Sequence, residues 1–382
     1  MKVSNMLSCY INLAYKLEMI RSASEQLIFN VLNYGAKNSM VNNINKLADL
    51  GIIKAEDLTN LKIVTDKYSL SISEEMINLI KKGKKYSAIS KQFMPSLNEL
   101  KEDEFERSDP IGDEKFSPIK GIVHRYKDRV LLKTNSACAV YCRFCFRREV
   151  VGPSGEKLTQ EETNEAIKYI RKHKDVWEVI LTGGDPFVLS PEKIGNILDS
   201  LDTINHVKII RFHTRVPIVK PRIISENLLK VLSNRKATIY IAIHINHESE
   251  MTEKAKEACD KLAKKGFPLI GQTVLLKGIN NKTSTLEKLF RIMLQAKIKP
   301  YYLHHPDFAN GTGHFRVTIK EGQKIMRELR GSISGIAIPT YILDIPGGYG
   351  KVPIGPQYLK ERNELNNFVE DINGRLHIYP SK

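Results

Sequence analysis

Short apolar runs alternate with longer amphipathic segments through most of the chain after Arg129. The runs are rich in β-branched residues, which is typical of buried strands, whereas the segments between them repeat apolar residues with helical spacing. The predicted strands cover residues 130–134, 179–182, 207–212, 238–243, 269–275, 300–303 and 336–343. This alternation predicts parallel βα units.

The predicted helices carry start and stop signals. Thr159 and Glu162 form a capping box, Ser190 followed by Pro191 opens another helix, and Gly266 ends a third. Right-handed crossovers between parallel strands place the C-terminal end of every strand on one rim. We therefore predict an α/β fold, a partial (βα)6-type barrel that follows a helical N-terminal region.

The chain before the barrel pattern is polar and helical in its periodicity, with apolar residues such as Ile44, Leu47, Met76 and Ile80. An acidic loop over residues 102–113 separates it from the barrel. We predict a helical N-terminal region over residues 1–107, a core barrel over 108–356 and a C-terminal tail over 357–382. Residues 1–40 support no assignment, and Met40 is a candidate start of translation.

The formal net charge of +16 does not indicate nucleic-acid binding, because the lysines are scattered through helices and form no single basic run among aromatics. A solvated basic surface accounts for it, and the excess helps to attract an anionic cofactor or an acidic protein partner. The apolar stretch over residues 6–15 is too short to span a bilayer, so no membrane association is expected. The absence of a disulfide framework indicates a reducing, cytoplasmic location.

Three of the five cysteines, Cys138, Cys142 and Cys145, lie in one C-x3-C-x2-C run. An iron-sulfur cluster held by four thiolates usually carries electrons, whereas one held by three leaves an iron open to bind a small molecule. The spacing therefore indicates a reaction centre. A zinc site with a remote fourth ligand, such as a histidine, is the alternative.

Polar residues follow most of the predicted strands at the rim where catalytic residues of parallel barrels lie. They include Gly183-Gly184-Asp185, the segments 211–215 and 244–247, Gln272, the segment 304–307 and Asp344. A glycine pair at a strand end suits either a turn or close approach of the backbone to a ligand. The repeated placement of polar residues on one rim favours a ligand site.

Lys351 follows a glycine-rich loop and lies near Asp344 in sequence. The spacing does not match a phosphate-binding loop, because Ile345 and Val352 stand where that motif needs glycine and a hydroxyl residue. A lysine on a glycine tether beside a carboxylate suits a residue that forms and releases a Schiff base with pyridoxal phosphate.

Together these motifs resemble those of the lysine 2,3-aminomutase family of the radical S-adenosylmethionine (radical SAM) superfamily. The resemblance runs from about residue 108 to about residue 356. It is carried by GIVHRYKDR at 121–129, the cysteine motif, GGD at 183–185, HINH at 244–247, YYLHHPD at 301–307, GHFR at 313–316 and PGGYGK at 346–351. It implies a radical SAM barrel with a 4Fe-4S cluster, S-adenosylmethionine (SAM) and pyridoxal phosphate, which together move an amino group between adjacent carbons.

The resemblance also implies which residues hold the cofactors. The three cysteines hold the cluster, and Lys351 carries pyridoxal phosphate. Candidates to hold that cofactor or its phosphate are Arg125, Tyr126 and Arg129, since an arginine fork donates two hydrogen bonds to a phosphate. The residues implied for SAM are Gly183, Gly184, Asp185, His244 and Gln272.

Substrate recognition is implied at the two ends of an amino acid. Arg147 corresponds to the family arginine that pairs with the α-carboxylate, and Asp307 and Asp344 correspond to the carboxylates that bind the ε-ammonium of lysine. Aspartates at strand ends also cap helices and turns. Together the three residues favour lysine over glutamate, whose side chain needs a cation or a neutral donor.

The sequence thus predicts an isomerase that interconverts L-lysine and L-β-lysine with an electron from a flavodoxin- or ferredoxin-type reductant. One alternative is a relative that isomerises lysine for attachment to translation elongation factor P. An alternative of another class is a zinc-binding protein without enzymatic activity. The chain diverges after about residue 356, which leaves a homo-oligomer open.

Overall fold

The computed structural model describes residues 40–83, 87–152, 155, 157–362 and 366–380. The expectations for residues 1–39, including the apolar stretch over residues 6–15, lie outside these residues. The chain from Val41 to Lys382 forms one compact unit. No helix within the described ranges is both long and apolar enough to cross a bilayer.

A nine-stranded sheet curls into the barrel and confirms the predicted fold. Its strands, in the order in which they neighbour one another, are β3 (Ile122–Tyr126), β4 (Arg129–Asn135), β5 (Glu178–Gly183), β6 (Ile209–Thr214), β7 (Thr238–His244), β8 (Leu269–Val274), β9 (Ile298–His304), β10 (Thr340–Ile345) and β11 (Gly350–Pro353). Strands β4 to β10 are parallel, whereas β3 and β11 pair antiparallel at the two ends of the sheet.

Helices connect the parallel strands as predicted. They are α5 (Gln160–Lys172), α6 (Pro191–Asp202), α7 (Val216–Val219), α8 (Glu226–Leu232), α9 (Glu253–Lys264), α10 (Thr283–Gln295) and α11 (Ile319–Ser332). The capping box of Thr159 and Glu162 is present, Ser190 caps α6, and Gly266 follows α9 with a φ of +85° that favours glycine. Cys259 is fully buried on α9, as expected of a small core thiol.

From residue 40 onward, where the structure describes the chain, four α-helices precede the barrel. They are α1 (Ile44–Asp49), α2 (Leu58–Lys67), α3 (Glu74–Lys82) and α4 (Ala88–Phe93), and the short strands β1 (Met40–Val41) and β2 (Ile72–Ser73) lie in the same part of the chain. Leu47, Met76 and Phe93 are fully buried and belong to the same hydrophobic core as the barrel strands. This part of the chain therefore shares its hydrophobic core with the barrel.

The chain after the barrel forms a separate antiparallel sheet. Its strands are β12 (Leu359–Arg362), β13 (Asn366–Glu370) and β14 (Leu376–Pro380). Ile378 pairs with Phe368 in the centre of the β13–β14 ladder, and its side chain is exposed. The predicted division at residues 107 and 356 stays a prediction.

Candidate active site

The C-terminal ends of the parallel strands surround a cavity of about 520 Å³. Every residue that the sequence predicts to bind the cluster, SAM, pyridoxal phosphate or substrate lines this one cavity. The parallel topology explains the convergence, because residues far apart in sequence end on the same rim.

The three cysteines lie in the loop between β4 and α5. Burial and the proximity of Asp185 and the other two thiols raise the pKa of Cys138 well above its ordinary value, and burial followed by the neighbouring Cys142 raises the pKa of Cys145 to about 11. Thiols in such surroundings stay protonated until a metal supplies compensating charge and displaces the protons. This set of three neighbouring thiols therefore fits an iron-sulfur cluster.

The side chain of Cys142 accepts a hydrogen bond from Arg215, with 2.7 Å between Nη1 and Sγ. Among the described residues, no three His, Cys, Asp or Glu side chains are arranged so that they could hold a single metal ion.

The segment that contains α3 and α4 holds the cysteine loop from outside the barrel. The backbone N–H of Tyr141 donates to Ser71 O, and that of Arg143 donates to Gln92 O, each at 2.9 Å. The guanidinium of Arg143 is only 2% exposed and binds both carboxylate oxygens of Glu99.

Arg148 binds the same buried Glu99 carboxylate. Breaking such a buried charge network by removing one partner typically costs about 3–5 kcal/mol. Residues that precede the barrel, among them Gln92 on α4, thus fix the loop that carries the cysteines, a connection that the sequence pattern did not reveal.

The glycine pair at the C-terminal end of β5 is required by close packing. A Cβ atom on Gly184 would lie 2.2 Å from Ala137 O in the cysteine loop, and Gly183 has a φ of +109°. No other residue type fits both positions without moving this loop. The two glycines let the β5 end lie directly against the cysteine loop.

Asp185 joins two strand ends with its carboxylate. The carboxylate accepts hydrogen bonds from Phe187 N and Thr214 Oγ1 on one oxygen, and from Arg215 N and Val216 N on the other. These four donors occupy the acceptor positions of the side chain.

His244 and Gln272 are neighbours across strands β7 and β8 in the parallel register. Burial lowers the pKa of His244 well below its ordinary value, so the imidazole is neutral. Its Nε2 lies 3.1 Å from Asn246 Oδ1. The neutral ring therefore adds no positive charge to the cavity.

Lys351 is placed by the antiparallel pairing of β10 and β11, which sets it opposite Asp344. Its Nζ lies 2.7 Å from the carboxylate of Asp344, and its backbone N–H donates to the hydroxyl of Tyr126 at 2.8 Å. Gly350 has a φ of +95°, and a Cβ there would lie 2.9 Å from that hydroxyl oxygen. The backbone at Gly350 and Lys351 therefore packs against the side chain of Tyr126.

The predicted carboxylate-binding Arg147 donates to Asp113 Oδ2 at 2.7 Å, and Arg125 donates to Asp113 Oδ1 at 3.1 Å. Burial alone would raise the pKa of Asp113, but Arg147 and Arg125 outweigh it and hold that pKa below its ordinary value. Asp113 therefore links the two arginines. The sequence placed it in an acidic loop and gave no signal of this role.

Arg129 donates to Asp128 at 2.7 Å, and its guanidinium carbon lies 3.9 Å from the ring centroid of Tyr126.

Strand β9 carries a bulge where it borders the same cavity. Gly271 pairs with Pro300 and Gln272 pairs with Tyr302, which leaves Tyr301 without a partner position. The side chains of Tyr301 and Tyr302 both line the cavity.

The carboxyl group of Asp307 lines the cavity near Asp344. Burial first, and then the nearby Asp344, raise the pKa of Asp307 to about 7. Burial also lowers the pKa of His304 to about 4, so that ring is neutral beside the carboxylates. The cavity end with Asp307 and Asp344 is therefore suited to bind a cation.

Two family models match the chain. Residues 132–289 match the radical SAM superfamily, and residues 326–381 match the model described as lysine-2,3-aminomutase. A radical SAM methyltransferase structure from Sphaerobacter thermophilus is similar over 58% of this chain and 68% of its own, with a TM-score of 0.41 and 17% identity.

Named relatives match over most of their length. An L-lysine 2,3-aminomutase of Methanococcus maripaludis is 39% identical over 86% of this chain and 76% of its own. That of Fusobacterium nucleatum is 34% identical over 92% and 82%. A glutamate 2,3-aminomutase of Clostridioides difficile is 36% identical over 84% and 76%. The chain therefore belongs to the lysine 2,3-aminomutase family of the radical SAM superfamily, a family of isomerases whose cofactors are a 4Fe-4S cluster, SAM and pyridoxal phosphate.

Proposed function

We propose that the protein interconverts L-lysine and L-β-lysine by moving the amino group between the α- and β-carbons. The observation that supports this choice over glutamate is the pair of aspartates, Asp307 and Asp344, which line the same cavity as Arg147. Asp344 already holds the ammonium of Lys351 at 2.7 Å. It therefore has the geometry to hold the ε-ammonium of lysine once Lys351 is attached to its cofactor.

The cofactor sites follow from the same cavity. Cys138, Cys142 and Cys145 would hold the cluster, and the backbone at Gly183 and Gly184 would meet the amino group of SAM, with His244 and Gln272 beside it. Because the carboxylate of Asp185 is occupied by four protein donors, its contribution to SAM binding would be to position this backbone.

Pyridoxal phosphate would be held by Lys351, with Arg125, Tyr126 and Arg129 on the β3 and β4 side of the cavity. When bound, the cluster with SAM supplies a carbon radical that removes hydrogen from the substrate, and pyridoxal phosphate supplies the conjugated system through which nitrogen migrates.

The protein contributes orientation and shelter. Arg147 presents a fork of donors to the α-carboxylate, the two aspartates fix the other end, and the walls exclude water from the reacting atoms.

The helical N-terminal region would fix the cysteine loop through Glu99 and Gln92, and the barrel over residues 108–356 would carry the chemistry. We also propose that the protein acts in the cytoplasm with a flavodoxin- or ferredoxin-type reductant, since an oxygen-sensitive cluster needs reducing surroundings. Membership of an isomerase family removes the zinc-binding alternative. A role in modifying elongation factor P uses the same reaction and stays an alternative, and a homo-oligomer stays open.

Replacing either aspartate with asparagine should reduce lysine turnover at least a hundredfold. Removing the carboxylate partner of a buried ammonium costs about 3–5 kcal/mol of free energy. Each 1.4 kcal/mol corresponds to about a tenfold change in an equilibrium constant. The measurement is formation of β-lysine from L-lysine by wild type, Asp307→Asn and Asp344→Asn, with glutamate as the competing substrate. The exposed Asp175, which pairs only loosely with Lys127 at 3.8 Å, provides the control variant Asp175→Asn.

The expected pattern is loss with both cavity variants and wild-type turnover with the control. If both cavity variants process lysine as well as wild type, or if wild type prefers glutamate, the carboxylates do not bind the ε-ammonium and the substrate proposal fails.

The KM for lysine should rise as the pH falls below about 7. The raised pKa of Asp307 means that this carboxyl becomes protonated, and loses its negative charge, as the pH drops through about 7. Bound lysine favours the ionised form, so kcat at saturation should change less than KM. Initial rates between about pH 6 and about pH 8 test this, because that interval brackets the transition. A wild-type KM that does not change with pH would contradict this prediction. So would a KM that rises in Asp307→Asn as it does in wild type when the pH falls.

A further inference from the structure

Strand β6 and the residue that follows it direct nitrogen-bearing side chains toward the cavity at alternate positions. Arg211, His213 and Arg215 all line it, as the two-residue repeat of a strand requires. At the deep end Arg211 pairs with Glu178, with 3.0 Å between Nε and Oε1. At the rim Arg215 reaches the cysteine loop, where its role is not explained by substrate or pyridoxal phosphate binding.

The guanidinium of Arg215 makes three polar contacts while its side chain is only 6% exposed. Nη1 donates to Cys142 Sγ at 2.7 Å, and Nη2 donates to Glu250 at 2.7 Å and to Gln92 at 2.6 Å. The ring of Phe93 lies 4.7 Å from the guanidinium carbon. The charge is therefore fixed in a low-dielectric setting directly against a sulfur.

The acceptors behind Arg215 are themselves held in place. Glu250 Oε1 accepts from Gln92 Nε2 at 2.9 Å and from the backbone N–H groups of Asn246 at 3.1 Å and His247 at 3.0 Å. Gln92 Oε1 accepts a further bond from Asn246 Nδ2 at 3.0 Å. This network fixes the orientation of the guanidinium before any ligand binds, as supporting contacts around metal sites commonly do.

We propose that Arg215 raises the reduction potential of the cluster by donating a hydrogen bond to the Cys142 sulfur. The inference rests on the proposed cluster site. Reduction adds one electron to the cluster from an external low-potential donor, with no bond broken, so the reduced state carries one more negative charge. A fixed cation and an N–H donor at a ligand sulfur stabilise that state more than the oxidised one.

The test is an anaerobic redox titration with dithionite of the reconstituted protein, without SAM or amino acid, followed by electron paramagnetic resonance. In Arg215→Gln the ratio of reduced to oxidised cluster at a given potential should fall about tenfold, which for a one-electron couple corresponds to a midpoint about 59 mV lower. Arg215→Lys keeps the charge but loses the planar fork, so its midpoint should lie between the two.

The matched control is Arg211→Gln, which removes the same charge from a side chain that lines the same cavity. The two arginines are four positions apart, which is roughly 13 Å along a strand. Its midpoint should stay at the wild-type value. A control shift as large as that of Arg215→Gln would show a general charge effect and overturn the inference.

Iron and sulfide contents separate the other outcomes. A wild-type protein that holds no cluster contradicts the proposed function itself. If wild type and variants hold the cluster with the same midpoint, only the role of Arg215 is overturned. If Arg215→Gln does not retain a cluster, Arg215→Lys decides, since a wild-type midpoint in that variant also rejects the inference.

Discussion

Replacing Cys142 with alanine should abolish SAM cleavage and leave the fold largely intact. The side chain of Cys142 faces the cavity next to Cys138 and Cys145, and two thiolates cannot hold a cluster that needs three protein ligands and one open iron. The loop itself is fixed by contacts that the substitution does not touch, including those of Arg143 with Glu99. Alanine at positions 138 and 145 should have the same effect.

The measurement is iron, sulfide and deoxyadenosine formation after anaerobic reconstitution, with circular dichroism to follow the fold. Cys259→Ala is the matched control, because Cys259 is buried on α9 and does not line the cavity. The control should retain cluster and SAM cleavage. Undiminished deoxyadenosine formation by Cys142→Ala, or stoichiometric zinc in place of iron in wild type, would sink the cluster assignment.

The sequence pattern located the barrel strands because their apolar runs are short, β-branched and separated by capped helices. The last strand was predicted too early. Residues Gly335–Ala337 form a 3-10 turn, and β10 begins only at Thr340, directly after Pro339. Proline cannot donate a ladder hydrogen bond, so the apolar run before it does not join the sheet.

The candidate site could be predicted where a motif carries its chemistry in consecutive residues, as with the cysteines and Lys351. It could not be predicted where the chemistry depends on packing between distant segments. Arg215 and Cys142 are 73 positions apart, and Arg143 and Glu99 are 44 apart. Each of these residues alone is a common charged or polar side chain, and only the assembled barrel shows which partner it contacts.

Asp113 is another residue whose role depends on packing between distant segments. Its loop was recognised as a boundary between regions because it is acidic and contains Pro110 and Gly112. The structure shows that Gly112 packs against the Lys351 loop, since a Cβ there would lie 2.6 Å from Gly348 N. The boundary loop is thereby part of the wall of the site, and Asp113 reaches Arg147 and Arg125 from it.

Borohydride reduction of the holoprotein should attach pyridoxal phosphate irreversibly to Lys351. Among the lysines of the described residues, Lys351 alone lines the cavity, and its Nζ is paired with the carboxylate of Asp344. Asp344 holds the amine at a defined position, from which it must release a proton before it can attack an aldehyde. The hydrogen bond from the backbone N–H of Lys351 to the hydroxyl of Tyr126 keeps that amine within the site.

Lys351→Ala should lose covalently bound pyridoxal phosphate and all formation of β-lysine, because no other lysine of the described chain lies in the cavity. Cluster content should stay at the wild-type level, since the cysteine loop and the β10–β11 hairpin belong to different parts of the sheet. Peptide mapping after reduction identifies the labelled residue, and Lys127→Ala, at a side chain that is 84% exposed, serves as the control. Label on another lysine, or a Lys351→Ala protein that still retains the reduced cofactor, would remove Lys351 from the catalytic residues.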